Sequence, residues 1–358
     1  MRPVGPLRGG TTKGEAMSEP RKIRVLVTGA TGFLGRNILA AIGAHPAIEP
    51  VAACRDPSRL PRSFAGMVRA GDLLDAEYRR DLMKDVDVVC HAGTWASMWS
   101  HRRLESIRFF EPARDLIAQA VTQGVRRFVM ASTVAIGEVT RDGTPHDDCS
   151  SKRYTGFWPH LDYLIDLDDY MQENSHRGTR MVTLRLGHFV GAGNRLGVLP
   201  ALVPRLKTYL VPWLAGGRKH LPLTADVDLG RAFALAAVAD DLDDYESFNI
   251  CGPEFPTLRT VVTHIARRTG APKPRYSVPY PVGYAFGRLM EASHRILPGS
   301  SPFLTRSIVH LCEDWICPSD YARKKLGYRP RKDWRTAVDE HLADLKAEGY
   351  PWPRLCQP

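Results

Sequence analysis

The sequence predicts an α/β fold, a doubly wound parallel sheet with a smaller C-terminal lobe. Three observations predict it. Short apolar, β-rich runs alternate with helical patterns from Arg21 to about residue 190. The first run, Ile23 to Thr28, is apolar enough for a strand buried on both faces. After Gly191 the character changes, and prolines 200, 204, 212 and 222 interrupt an apolar stretch from Leu196 to Leu223.

The elements follow in order. Phe33 to Gly43 reads as a helix from the spacing of Leu34, Ile38, Leu39 and Ile42. Pro50 to Cys54 and Val68 to Ala70 read as the second and third strands. A helix ends at Asp81 to Lys84, and Val86 to His91 is the fourth strand. Glu111 to Gln123 is a helix closed by Gly124. Phe128 to Ser132 is the fifth strand, Asp162 to Ser175 a helix, and Met181 to Leu186 the sixth strand. Further on, Phe248-Asn249-Ile250 is one more sheet strand and Leu258 to Thr269 a helix closed by Gly270. Pro279 to Leu297 carries aromatics and Met290, and Tyr321 to Leu326 and Trp334 to Lys346 are terminal helices. This divides the chain into a tail (1–20), a nucleotide-binding unit (21–190, with a strand near 248–250), a lobe over the sheet's carboxyl edge (mainly 191–345) and a C-terminal tail (346–358).

Composition narrows the function classes. The 358 residues are 44% hydrophobic and 25% charged, ordinary values for a globular enzyme. The formal charge is +10, but Lys and Arg are spread out rather than gathered into an arm, which argues against nucleic acid and for an anionic cofactor or substrate. Seven cysteines without paired short spacings argue against a disulfide framework and against a metal site, and fit reduced thiols in a cytoplasmic protein. No apolar run reaches the length of a membrane span, and residues 1–20 lack the apolar core of a signal peptide, so a disordered tail is expected there.

Gly29, Gly32 and Gly35 lie in Val27-Thr28-Gly29-Ala30-Thr31-Gly32-Phe33-Leu34-Gly35, between the first strand and the first helix. That context makes a Rossmann-type dinucleotide site. Gly29 permits the tight turn, Gly32 lets the backbone approach a pyrophosphate, and Gly35 lets the helix pack on the strand. The helix N-terminus offers N–H groups and partial positive charge to phosphates. At the tip of the second strand stands Cys54, followed by Arg55, where an NAD enzyme wants a carboxylate; a guanidinium there suits the 2′-phosphate of NADP. Arg36, Arg59 and Arg62 would add charge. Asp56 keeps NAD as the alternative. Asp72-Leu73 would flank the adenine, with Asp72 alternatively capping the next helix.

The glycine run resembles the extended short-chain dehydrogenase/reductase family, in its epimerase/dehydratase and 3β-hydroxysteroid dehydrogenase-like branch. The likeness continues through Gly71-Asp72-Leu73, His91-Ala92-Gly93, Met130-Ala131-Ser132-Thr133, Leu184-Arg185-Leu186-Gly187 and Asn249-Ile250-Cys251-Gly252-Pro253 to Leu326-Gly327-Tyr328-Arg329-Pro330. The resemblance implies cofactor contacts at Thr31, Phe33, Leu34, His91, Ala92 and Gly93. It also implies a catalytic Ser, a Tyr acting as general acid or base, and a Lys four residues after the Tyr. Ser132 matches the Ser, with Thr133 in reserve, and Tyr163 matches the Tyr by position. The sequence then departs from the pattern. Leu167 stands where the Lys should be, and Phe109 lies near the position of a frequent Asn. Tyr321 and Lys325 have the right spacing, but in a segment where the family has a surface helix. Three explanations stay open: a neutral Tyr163 as acid, a substitute cation such as Lys152 or Arg153, or a protein that binds the cofactor without turnover.

Thr94, Trp95, Met98 and Trp99 follow the fourth strand and would wall an apolar substrate pocket, and His188 borders it. The expected function is an NADP(H)-dependent oxidoreductase (alternative: NAD) reducing a ketone on a mid-sized apolar small molecule. A silent dinucleotide-binding sensor and an NAD(P)-dependent epimerase or dehydratase are the alternatives. The stretch from Leu196 to Leu223, flanked by Arg205, Lys207, Arg218 and Lys219, would serve as a lid or rest on a membrane surface. Dimers through two helices are common in the family, and the resemblance carries that expectation of a homodimer here.

Overall fold

The chain places its first strand, β1 (Ile23–Thr28), in the middle of a seven-stranded sheet. The structure is a computed structural model and describes residues 21–141, 143–147, 151–294, 296 and 301–355. The tail expected at 1–20, Cys149, Cys356 and Leu297 lie outside these residues. The other strands are β2 (Ile48–Cys54), β3 (Met67–Ala70), β4 (Val88–His91), β5 (Arg127–Thr133), β6 (Arg180–Leu186) and β7 (Tyr245–Ile250). All pair in parallel in the order β7-β6-β5-β4-β1-β2-β3. The chain winds outward from β1 to β3, then crosses back to β4 on the other side of β1. A crevice opens where the two directions part, at the carboxyl ends of β1 and β4.

Successive side chains of a strand point to opposite faces, and both faces here are apolar. Val25 and Val27 pack with α1 (Phe33–Gly43), while Leu26 faces the opposite layer. Helix α2 (Ala76–Leu82), capped by Asp75, leads from β3 to β4. Helices α3 (Glu111–Thr122) and α4 (Pro159–Asn174) cover the Leu26 face through Leu116, Ile117, Leu164 and Leu167. The lobe holds α5 (Val198–Leu206), with Pro204 inside it. Helix α6 (Asp226–Val238) instead packs on the sheet beside α1. The lobe resumes with α7 (Leu258–Thr269), α8 (Tyr280–Ser293) and α9 (Arg306–Leu311), α10 (Asp320–Leu326) returns to the sheet, and α11 (Trp334–Ala347) ends the fold on the lobe.

The strands and helices read from the sequence are present. β1, α1 and α7 begin and end where the periodicity puts them. Two differences matter. Helix α4 begins at Pro159, three residues before the expected Asp162, because proline is well placed in a first helical turn. Helix α6 was not expected, although Leu229, Ala232, Phe233 and Ala236 have helical spacing behind Asp226 and Asp228. The proline-rich stretch before it hid the change of period.

Helix α6 lies against α1 so closely that a Cβ at Gly230 would fall on the Asn37 carbonyl. Gly230→Ala should therefore destabilise the protein by about 1–3 kcal/mol, since overpacking on backbone outweighs the ~1 kcal/mol gain in helix propensity. Urea unfolding should show a lower midpoint at unchanged slope; a higher midpoint would remove the close contact from the account.

Candidate active site

The crevice widens into a cavity of about 1240 Å³ between the sheet's carboxyl edge and the lobe. Its floor is the glycine turn. Gly29 has φ +65°, and a Cβ there would stand 2.6–2.8 Å from Gly93 and the Ala92 carbonyl. At Gly35 a Cβ would lie 2.8 Å from the Ala30 Cα and run into the Gly29 carbonyl. Both positions need glycine for the reasons the sequence suggested. Gly32 is the N-cap of α1; it supplies no side-chain cap, and the first turn has no acid. The positive end of α1 is thus left to an anion. Gly29, Thr31, Gly32, Phe33 and Leu34 line the cavity, whereas Gly35 packs behind it.

Arg55, Arg36 and Arg59 line the same end of the cavity; Arg62 does not. Asp56 is also outside the lining, because its Oδ1 accepts hydrogen bonds from the Ser58 N–H (3.0 Å) and hydroxyl (2.7 Å). Those bonds hold its carboxyl below the usual carboxylate range. Asp72 and Leu73 line the cavity as expected. Asp72 accepts from the Leu74 N–H at 3.0 Å, and the cap of α2 is Asp75 rather than Asp72.

The tips of β1 and β4 are tied by side chains. The Thr28 hydroxyl lies 2.7 Å from His91 Nδ1 and accepts from the Gly93 N–H at 3.2 Å. The hydroxyl proton therefore goes to Nδ1, which leaves the His91 proton on Nε2. Nε2 is buried without a partner among the described residues. Burial pushes this histidine down to about 4, so the ring is neutral. Ser132, at the end of β5, is buried and its Oγ also lacks a partner. Thr133, the reserve, also lines the cavity; its Oγ1 accepts from the Ala135 N–H at 3.3 Å, a bond that does not use its O–H donor. His91, Ala92, Gly93 and Ser132 all line the cavity. Unsatisfied buried donors on a cavity wall, beside an uncapped helix start, fit a bound dinucleotide and substrate oxygen.

Helix α4 corrects the expected proton machinery. Tyr163 does not line the cavity. Its ring stacks on Phe110 at 4.8 Å, and its hydroxyl reaches the Arg102 carbonyl at 3.4 Å. A helix turns about 100° per residue, so His160, Leu161 and Leu164 share the cavity face and Tyr163 falls to one side. Leu167 is fully buried in the core and does not reach the cavity either. The two residues one turn apart on the wall are His160 and Leu164. His160 Nδ1 lies 3.4 Å from Oε1 of Glu105, a fully buried carboxylate that also accepts the Ser97 N–H at 2.8 Å. The segment Ser106–Phe110 after Glu105 is a π-turn, which sets Phe109 against the His160 ring at 5.0 Å. No lysine lines the cavity among the described residues. Lys152 is held by Asp168 (2.8 Å) and Asp169 (2.6 Å), and Arg153 lies outside the lining. Tyr321 and Lys325 sit on α10, paired with Glu246.

Thr94, Trp95 and Met98 form one apolar wall. Trp99 is one layer out, edge-on to His101 and His294 at 5.1 and 4.8 Å. His188 lines the cavity but its Nε2 is bonded to the Leu311 carbonyl at 2.9 Å, and burial pushes it down to about 4. It acts as a strut rather than a free acid. Sequence reading missed Glu105 and His160, whose pairing is long-range, and Trp158 and Leu355, which also line the cavity. The chain end reaches that wall because the Met98 N–H donates to the Leu355 carbonyl at 2.8 Å and Ser301 donates to Pro353.

Comparisons with known proteins agree with this architecture. The profile of the NAD dependent epimerase/dehydratase family matches residues 25–251, and the chain belongs to that family. It is a member of the extended short-chain dehydrogenase/reductase group and an enzyme class that depends on a nicotinamide dinucleotide. The chain is 23% identical to a 2-alkyl-3-oxoalkanoate reductase of Shewanella oneidensis over 336 residues, 90% of this chain and 85% of that one. It is also 23% identical to a 4-hydroxy-2-methyl-3-oxo-4-farnesyl-3,4-dihydroquinoline-1-oxide ketoreductase of Stigmatella aurantiaca, covering 88% and 95%. The fold matches Bordetella bronchiseptica WbmH in complex with NAD+, with TM-score 0.68 at 15% identity over 91% and 99% of the two chains.

His91, His188 and His341 are all pushed down to about 4 by burial. Each is neutral when folded and takes a proton near pH 6.5 when unfolded. Between those values the unfolded chain binds more protons, so stability should rise with pH from about 4 to 6.5. The slope should approach roughly 1.4 kcal/mol per pH unit for each histidine. Urea unfolding across that range checks it, and His188→Asn should flatten the curve by one histidine's share.

Proposed function

We propose that this protein reduces a ketone on a mid-sized apolar substrate, with NADP(H) preferred over NAD(H). The observation that carries the reading is the Ser132 hydroxyl, buried and unpartnered in a cavity walled by Trp95, Met98, Trp158, Leu161 and Leu164. A carbonyl oxygen entering that wall satisfies the hydroxyl, and the rest of the substrate meets apolar surface. Two relatives named as ketone reductases support the same direction. Arg55, Arg36 and Arg59, with Asp56 turned onto Ser58, favour a 2′-phosphate.

The bound dinucleotide supplies hydride chemistry. The uncapped start of α1 holds its phosphates, with Asp72 and Leu73 at the adenine. Ser132 orients the carbonyl oxygen by donating a hydrogen bond. His160 takes the proton-donating place expected of Tyr163. His160 lines the cavity and its Nδ1 lies 3.4 Å from Glu105, so the ring is the titratable side chain that α4 presents there. A second reading, cofactor binding without turnover, is favoured by Leu164, which cannot hold a ribose hydroxyl as a lysine does.

A panel of apolar ketones assayed with NADPH separates the two readings. Oxidation of NADPH by any of them supports the first; binding without oxidation across the panel supports the second. In an active enzyme His160→Gln and Ser132→Ala should each lower kcat by about 10²–10⁴-fold, while Tyr163→Phe stays near the parent rate. A Tyr163→Phe variant as slow as His160→Gln would return the proton to Tyr163. Arg55→Ala should weaken NADPH binding by roughly tenfold and leave NADH nearly unchanged.

A further inference from the structure

Helix α8 is built inside out. Its fully buried residues are Gly283 and Gly287. A Cβ at Gly283 would stand 2.9 Å from Leu214, and one at Gly287 would stand 3.0 Å from the backbone of Thr305 and Arg306. The inward side is completed by polar bonds, Tyr284 to Glu313 at 2.7 Å and Glu291 to Arg306 at 2.7 Å. The large apolar residues face outward: Val282, Phe286 and Leu289 are 50%, 43% and 58% exposed. They fall at i, i+4 and i+7, one stripe along the helix. Ile296, three residues beyond the end of the helix, is 88% exposed. An ordinary surface helix buries this stripe and shows its polar side.

The stripe continues onto the neighbouring strand pair. Ser277–Val278 pairs with Trp213–Leu214, and the Tyr276 hydroxyl donates to the Leu210 carbonyl at 2.7 Å. Leu210 and Tyr209 are both more than half exposed. These exposed apolar residues stand on neighbouring elements, since Gly283 of α8 meets Leu214 of the strand pair.

The segment is rich in cations. From Phe255 to Cys312 the sequence has eight Lys and Arg and one carboxylate, Glu291, which Arg306 occupies; Arg268 is paired with Asp339, and Glu313 just beyond the segment is held by Tyr284. Lys273, Arg275 and Arg288 are exposed and have no carboxylate partner among the described residues. Arg275 lies over the Tyr209 ring at 5.7 Å. No described helix is long and apolar enough to cross a membrane.

We propose that the outer face of α8, with Tyr209 and Leu210, docks the protein on the surface of an anionic lipid bilayer. The apolar stripe enters the headgroup boundary, the tyrosines sit at its level, and Lys273, Arg275 and Arg288 meet lipid phosphates. A second copy of the chain would present the same basic residues to themselves, which is unfavourable, whereas an anionic surface neutralises them. The helix end is also close to the cavity: His294 is edge-on to Trp99, which backs the wall formed by Trp95 and Met98. Docking therefore brings the proposed apolar-substrate site near the lipid.

The test is co-sedimentation of the full chain with vesicles of phosphatidylcholine, with or without phosphatidylglycerol. Binding to the anionic vesicles, weakening with salt, is expected. The triple variant Val282→Ser, Phe286→Ser, Leu289→Ser should lower partitioning by roughly tenfold or more with the fold retained, because none of the three belongs to a buried core cluster. Arg275→Glu with Arg288→Glu should lower it on anionic vesicles. No binding to anionic vesicles, or equal binding by the triple variant, overturns the proposal. So does a lipid-free dimer that the triple variant turns into monomer, since a second copy would then cover the face. NADPH binding should be the same for parent and triple variant, so this test stands apart from that of the reductase reading.

Discussion

The approach of two backbones, at Gly29 and Gly93, is the constraint on which the rest of the site depends. β1 and β4 run side by side but send their chains to opposite faces of the sheet, and a crevice forms only if their tips come close without side chains between them. A Cβ at Gly29 would strike Gly93 and Ala92. Thr28 then ties the two tips through His91 and the Gly93 N–H. Gly35 brings α1 down onto the same turn, and α6 presses on α1 through Gly230. The position of the helix start, and so of any phosphate it holds, follows from this stack of backbone contacts.

Within the cavity, hydrogen-bond satisfaction separates residues that hold the structure from those left for a ligand. A buried polar group without a partner costs more than a mediocre bond gains. His188 has its bond, to Leu311, and is structural. Ser132 Oγ and His91 Nε2 have none among the described residues. The Trp95 ring nitrogen is in the same position. With His160 Nδ1, four orphaned polar atoms belong to residues that line the cavity; they are costly to a resting fold and fit a bound ligand.

The legible part of the fold was the part with local causes. The period of two in β1 and of 3.6 in α1 and α7, and the glycine turn between β1 and α1, all act over a few residues. Gly29, Gly32, Arg55 and Asp72 each follow a strand by a fixed offset, and for the same reason the sequence could bring them to one end of the cavity. Helix α6 was hidden because the prolines before it dominate the local pattern. The catalytic helix was legible as a helix but not in its rotation. Tyr163 matches the family's Tyr by position, which carries no information on the rotation of the helix. The cavity face belongs to His160 and Leu164.

By itself, the sequence determined the sheet, the dinucleotide turn and the family, because those rest on spacing along the chain. Tertiary structure alone decided which polar groups share the cavity. The approach of His160 to Glu105 joins residues fifty-five positions apart. Asp56 bonds to a serine two residues away and Trp99 packs against His101 and His294, and neither lines the cavity. Such choices turn on angles and on competing partners, and a one-dimensional pattern carries neither.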